Sequence, residues 1–256
     1  MGLSKIPWDF ALILFLLGVI VPWRGAVRMK KLLARPQLRT VDRLILYGST
    51  IAFQWLAVAL VGWRCHARGV TAQRLGLVFP EPWFTTAVAA GLSLLLLANQ
   101  LLGLRRMARL PPARRGFLHQ MAEKVMPQNL VEALAFVALA ATVGLCEEFL
   151  YRGFVFTVIQ DATAASLPIA ALGSSFIFAA AHLYQGRRGL ASTFVVGLLF
   201  AAARIWTASL APSVVAHALA DLVAGLAAPR LLSPLGRETG SENQPAGAFF
   251  DPAAKR

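Results

Sequence analysis

The stretch "GLCEEFLYRGFVF", Gly144 to Phe156, decides how the chain is read. It sets Glu147, Glu148 and Arg152 close together inside otherwise apolar sequence. A charged side chain at the centre of a membrane helix costs about 2.5–3.5 kcal/mol on insertion scales, so each one needs a partner or a task. On a helix, Glu148 and Arg152 are four residues apart and face each other, with Glu leading in the favoured order. Glu147 is turned about 100° away and cannot share that arginine equally. One carboxylate is neutralised locally and the other is left for something else. Read alone, the stretch fits two glutamates at a water interface equally well.

The rest of the chain makes this a membrane setting. Of its 256 residues, 57% are hydrophobic and 14% charged, and mean hydropathy is +0.63. A soluble domain carries about 25% charged residues. Apolar runs occupy residues 8–23, 44–63, 84–104, 130–146, 149–159, 166–183, 190–210 and 212–228. A span needs about 20 apolar residues, so the expected fold is all-α, a polytopic membrane bundle of about eight transmembrane helices. The fifth run is short and can be continuous with the fourth. No small-residue cleavage site follows the first run, which reads as a retained helix rather than a signal peptide. No internal repeat is visible.

The formal charge is +13, yet the basic residues lie between apolar runs and form no nucleic-acid reading surface. Lipid head groups and orientation explain them, so the bilayer is an expected partner and nucleic acid is not. Residues 24–43, "RGAVRMKKLLARPQLRTVDR", and 105–115, "RRMARLPPARR", should both face the cytoplasm. The first is long enough for a separate interfacial helix that dips Val27, Leu32 and Leu33 into lipid. Residues 64–74 then lie opposite, the N-terminus is outside, and eight separate spans would put Arg187 and Arg188 outside as well. Cys65 and Cys146 form no ligand spacing and no disulfide framework. The excess of Arg and Ala over Lys suits a GC-rich bacterial genome, hence a multi-pass protein of a bacterial inner membrane. Residues 1–130 group as N-terminal helices with basic loops, 131–229 as the core that carries the motifs, and 230–256 as a polar tail expected to be disordered.

Seven ionisable residues lie away from the ends of the apolar runs: Glu147, Glu148, Arg152, His182, Arg204, His217 and Asp221. In "FIFAAAHLYQG" (176–186), Phe178 is four residues before His182, so its ring can wall the imidazole. In "APSVVAHALADL" (211–222), His217 and Asp221 share one face among alanines that allow close helix approach. Taken singly, each is accounted for by an interfacial histidine or a self-satisfied pair. Together they offer a carboxylate and imidazoles within a bilayer, the equipment for activating a water and stabilising an oxyanion. No HExxH and no GxSxG occurs. The "LGSS" of 172–175 suggests a Ser–His dyad only faintly and leaves Glu147 and Arg152 without a role.

In order, "EEFLYR", "FAAAH" and "HALAD" fit EExxxR, FxxxH and HxxxN/D. The three resemble the signature of the CPBP family of intramembrane proteases, which holds type II CAAX prenyl endopeptidases and bacteriocin-processing enzymes. The resemblance runs roughly from residue 140 to 228. It implies an intramembrane endopeptidase acting on a membrane-associated protein or peptide. Catalytic roles would fall to Glu147, His182, His217 and Asp221, with Glu148, Arg152 and Phe178 in support. It also leaves room for a divalent metal such as zinc, held by Glu147, His182, His217 and Asp221, beside a metal-free glutamate mechanism. Many relatives carry Asn where this chain has Asp221, which cannot donate to an oxyanion when ionised. Ala208, in "TASL", stands where Gly is common. Asp221 motivates the rival reading, a non-catalytic membrane scaffold or immunity-type protein of the same fold. A proton-relaying transporter ranks lower, because no broken helices recur in matching halves.

Overall fold

A computed structural model describes residues 6–111 and 114–232. The described residues are helices and connecting turns: α1 (Trp8–Leu33), α2 (Thr40–Ala67), α3 (Pro82–Ala108), α4 (Gly116–Lys124), α5 (Leu130–Ala162), α6 (Leu167–Ala181), α7 (Gly186–Thr207) and α8 (Ala211–Leu232). Six apolar segments are long enough to cross a membrane: α1, α2, α3, α5, α8, and α7 with the turn before it. The shorter α6 is also apolar. Much of the outer surface is large hydrophobic side chains, as on Leu56, Leu94 and Phe176, which suits lipid and not water. The protein is a multi-pass membrane bundle.

One open alternative is settled and one expectation changes. The fourth and fifth apolar runs form one helix, α5, of 33 residues. The basic stretch after the first run is no separate interfacial helix, for α1 continues through it to Leu33. Its alternation of Lys, Arg and apolar residues gives the helix no reason to break before Ala34. The fusion of the two runs also resolves the orientation conflict. With α5 crossing once, α6 returns, and Arg187 and Arg188 fall at the same end as both basic loops. The turn Leu183–Gln185 packs on α1 there, and Tyr184 lies 5.9 Å from Phe117 of α4. The polar tail expected at 230–256 lies outside the described residues from 233 onward.

Buried polar groups fasten both ends. At the basic end Arg43 Nε donates to Glu132 Oε2 at 2.7 Å, Lys124 Nζ donates to the Leu33 carbonyl at 2.6 Å, and Arg115 Nη1 donates to the Leu232 carbonyl at 2.6 Å. Asn129 caps α5 by accepting from the Glu132 amide at 3.0 Å. At the opposite end Asp9 of α1 accepts from Arg64 at 2.5 Å and Arg68 at 2.9 Å, both from α2 and its end.

The helices that matter for the site approach closely. Gly144 of α5 meets Ala218 of α8 so tightly that a Cβ on Gly144 would lie 2.8 Å from the Ala218 Cβ. Small residues at such a crossing let two backbones pack without intervening side chains. Phe10 and Leu17 of α1, Val61 of α2, Phe149 and Phe154 of α5 and Phe178 of α6 form the main apolar cluster. From Glu148 to Val155, α5 widens into π-helical turns whose side chains are all buried. Such turns are rare and recur at functional sites.

Candidate active site

Four helices converge where the sequence placed its charges. The wide turn of α5 begins at Glu148, immediately after Glu147. The last residues of α6 deliver Phe178 and His182, α8 delivers His217 and Asp221, and α2 adds Gln54.

Glu148 and Arg152 form the expected pair, Nη1 to Oε1 at 3.0 Å, with neither side chain exposed at all. The same Glu148 oxygen also faces His217 Nδ1 at 3.0 Å. A carboxylate can only accept, so Nδ1 of His217 carries a proton. The other ring nitrogen faces Asp221 Oδ2 at 3.7 Å. Carboxylates thus flank both nitrogens, one within hydrogen-bond distance of Nδ1 and the other too far from Nε2 for a hydrogen bond. The guanidinium of Arg152 lies 4.0 Å above the Phe178 ring and 5.2 Å from Phe200. Phe200 in turn stacks on His217 with centroids 5.3 Å apart. Gly197 makes room for this arginine, since a Cβ there would sit 2.9 Å from Arg152 Nη2.

Glu147 stands apart from that closed network. Gln54 Nε2 donates to its Oε1 at 2.9 Å. Its Oε2 accepts no hydrogen bond from a described residue and lies 4.0 Å from His182 Nε2. His182 Nδ1 is 2.9 Å from the Phe178 carbonyl, which can only accept, so Nδ1 holds a proton, and in the neutral ring Nε2 carries the lone pair. The Phe178 ring walls the imidazole at 4.8 Å between centroids, as the spacing predicts. Side-chain exposure separates the groups: none for Glu148 and Arg152, 16% and 15% for Glu147 and His182, and 41% for Asp221. The first pair is sealed from solvent, and the second is partly open.

Gln54 and Phe200 escaped the sequence reading. Gln54 is the lone amide in an apolar run and stands midway along α2, so its polarity was a usable signal. Phe200 gave none, being one aromatic among many. Arg204 does not join the site. It lies on α7 near the far end, bonded to the Arg74 carbonyl at 2.5 Å. Ser175 of the "LGSS" stretch is fully buried, beside Gly197 and away from solvent. Ala208 adopts a left-handed conformation, φ 54°, which explains why Gly would be at home there.

Among the described residues no three of His, Cys, Asp and Glu are grouped closely enough to hold a metal. The Nδ1–H of His217 bonds Glu148, as the outer nitrogen of a ligating histidine commonly does, and its Nε2 faces Asp221 at 3.7 Å, while Glu147 and His182 stand 4.0 Å apart. A tetrahedral zinc site uses at least three protein ligands. As the described residues stand, that set of ligands is not assembled.

Residues 129–223 match the model of the Rce1-like type II CAAX prenyl endopeptidase family. The match supports the resemblance of this segment to the CPBP family. Its bounds run from the α5 cap to just beyond Asp221, and so enclose every expected site residue. The matched segment does not include Gln54, which the N-terminal half contributes. The chain is also 31% identical over 137 residues to an uncharacterized 24.3 kDa protein of Escherichia coli, a match covering 53% of this chain and 58% of that protein. No solved structure matches.

Proposed function

We propose that the CPBP-like segment is an intramembrane endopeptidase that hydrolyses a peptide bond of a membrane-associated protein or peptide with a glutamate-activated water. One observation carries this reading: Glu147 Oε2, a buried oxygen with no hydrogen-bond partner among the described residues, lies 4.0 Å from His182 Nε2, between two side chains that are each partly open to solvent. Two hydrogen bonds of about 2.8 Å from one water, opened to about 90°, span that distance. Both protons of the water are then directed at acceptors, and its remaining lone pair points at the substrate carbonyl.

The water oxygen adds to the carbonyl carbon and gives a proton to Glu147. A second N–H of His217, on the Nε2 side, faces the developing oxyanion and stabilises it. As the C–N bond breaks, Glu147 passes the proton to the leaving amine. Gln54 fixes Glu147 by one oxygen so that the other keeps its aim. Glu148 and Arg152 hold His217, and Asp221 orients its outer nitrogen. This route uses no metal step.

Three arginine-rich segments at one end of the bundle support a cytoplasmic location for that end, and we assign the protein to a bacterial inner membrane. Purified protein in proteoliposomes, given membrane-associated peptides, should yield two products whose masses add up to substrate plus one water. Intact peptides across a varied panel would count against the reading.

A further inference from the structure

Arg204 is a charged residue in an apolar helix that the active site does not use. Its side chain is buried, and Nη2 donates to the Arg74 carbonyl at 2.5 Å and faces Thr157 Oγ1 at 3.4 Å. The guanidinium lies 4.5 Å over the Phe156 ring, and no carboxylate among the described residues pairs with it. A buried cation without a counter-ion is costly, and the cost falls when an anion is bound beside it.

A cavity of about 280 Å³ opens beside it, lined by Gln73, Arg74, Gln160, Asp161, Ala165 and Ala208 together with Arg204. Arg74 and Asp161 form an ion pair across the rim, so their charges cancel and the lining keeps one net positive charge. Two amide side chains add donors. Ala165 and Ala208 both hold left-handed backbone, φ 65° and 54°, a conformation that non-glycine residues keep mainly at ligand sites and turns.

The depth of the cavity names the source of an anion. It lies at the end of the bundle opposite the basic loops, between the ends of α5 and α7 and the loop after α2. At that same end Trp8, Trp63, Trp83 and Trp206 are all exposed. Exposed tryptophans gather at the level of lipid head groups. We propose that this cavity binds a singly charged phosphate group, presented by a phospholipid head group, with Arg204 as its counter-ion. The proposal is independent of the protease reading, since no residue in it belongs to the active site.

Delipidated full-length protein in uncharged detergent would be melted with short-chain phosphatidylglycerol, with inorganic phosphate, or with the matching diacylglycerol. We expect a saturable rise in melting temperature with the phospholipid and none with the diacylglycerol. A rise with inorganic phosphate at the same concentration would keep the site and assign it a soluble ligand. Arg204→Gln should abolish the saturable rise. Gln160→Leu, which leaves the arginine in place, should weaken half-saturation about tenfold, the worth of one charge-assisted hydrogen bond. It carries the test if Arg204→Gln does not fold. No rise with either phosphate, or an unchanged rise in both variants, overturns the proposal.

Discussion

His217 Nδ1 lies 3.0 Å from Glu148 Oε1, the same oxygen that Arg152 Nη1 approaches at 3.0 Å. A pair within one helix is thereby also a tie between α5 and α8. Removing Arg152 leaves Glu148 a buried carboxylate with the imidazole as its remaining partner. Breaking such a buried pair costs about 3–5 kcal/mol. Arg152→Met should therefore lower the melting temperature sharply in detergent. The double variant Glu148→Gln/Arg152→Met should recover part of the loss, because the uncompensated charge is gone. A double variant as unstable as the sum of its singles would mean that the two residues do not interact.

Gln54 predicts a different phenotype. It touches Glu147 but not the proposed reactant, and it holds one oxygen at 2.9 Å. Gln54→Leu should lower kcat about tenfold or more, the worth of one hydrogen bond to a charged group. KM and the melting temperature should change little. An equal fall in stability would assign Gln54 to packing alone.

Gly197 and Gly91 form a matched comparison. A Cβ at Gly197 meets the Arg152 guanidinium and Ser175, whereas one at Gly91 meets nothing within 4 Å. Gly197→Ala should destabilise by about 1–3 kcal/mol, the usual cost of overpacking. Gly91→Ala should be neutral or stabilising by up to about 1 kcal/mol, because alanine gives up less backbone freedom in a helix. Thermal melts of the two variants side by side check this.

Asp221 is the outermost of the site residues, 41% exposed and 3.7 Å from His217 Nε2. An exposed pair of that kind is worth about 1 kcal/mol or less. Asp221→Asn should keep activity within about fivefold of the parent. A loss of several orders of magnitude would show that the carboxylate itself takes part in chemistry.

Much of this was legible in the sequence for a physical reason. Charges in an apolar chain are conspicuous, and fixed helical spacing pairs Glu148 with Arg152, Phe178 with His182 and His217 with Asp221. The pairing of Glu148 with His217 was not legible, because it joins residues 69 apart in sequence through a close crossing of Gly144 and Ala218. The fusion of two apolar runs into α5 was legible only as one option, from the shortness of the fifth run. Glu147 and Glu148 interrupt hydropathy without interrupting the helix, since one bonds Gln54 and the other Arg152. That fusion moved Arg187 and Arg188 to the basic end, where counting separate runs had put them outside.

The most direct measurement of the central claim is peptide cleavage by Glu147→Gln beside the parent protein, in the same proteoliposomes and at matched melting temperature. The amide keeps the shape and can still meet Gln54, but it cannot take a proton from water. The account predicts that cleavage disappears while the fold stays intact. Cleavage at the parental rate in a folded Glu147→Gln protein would contradict it.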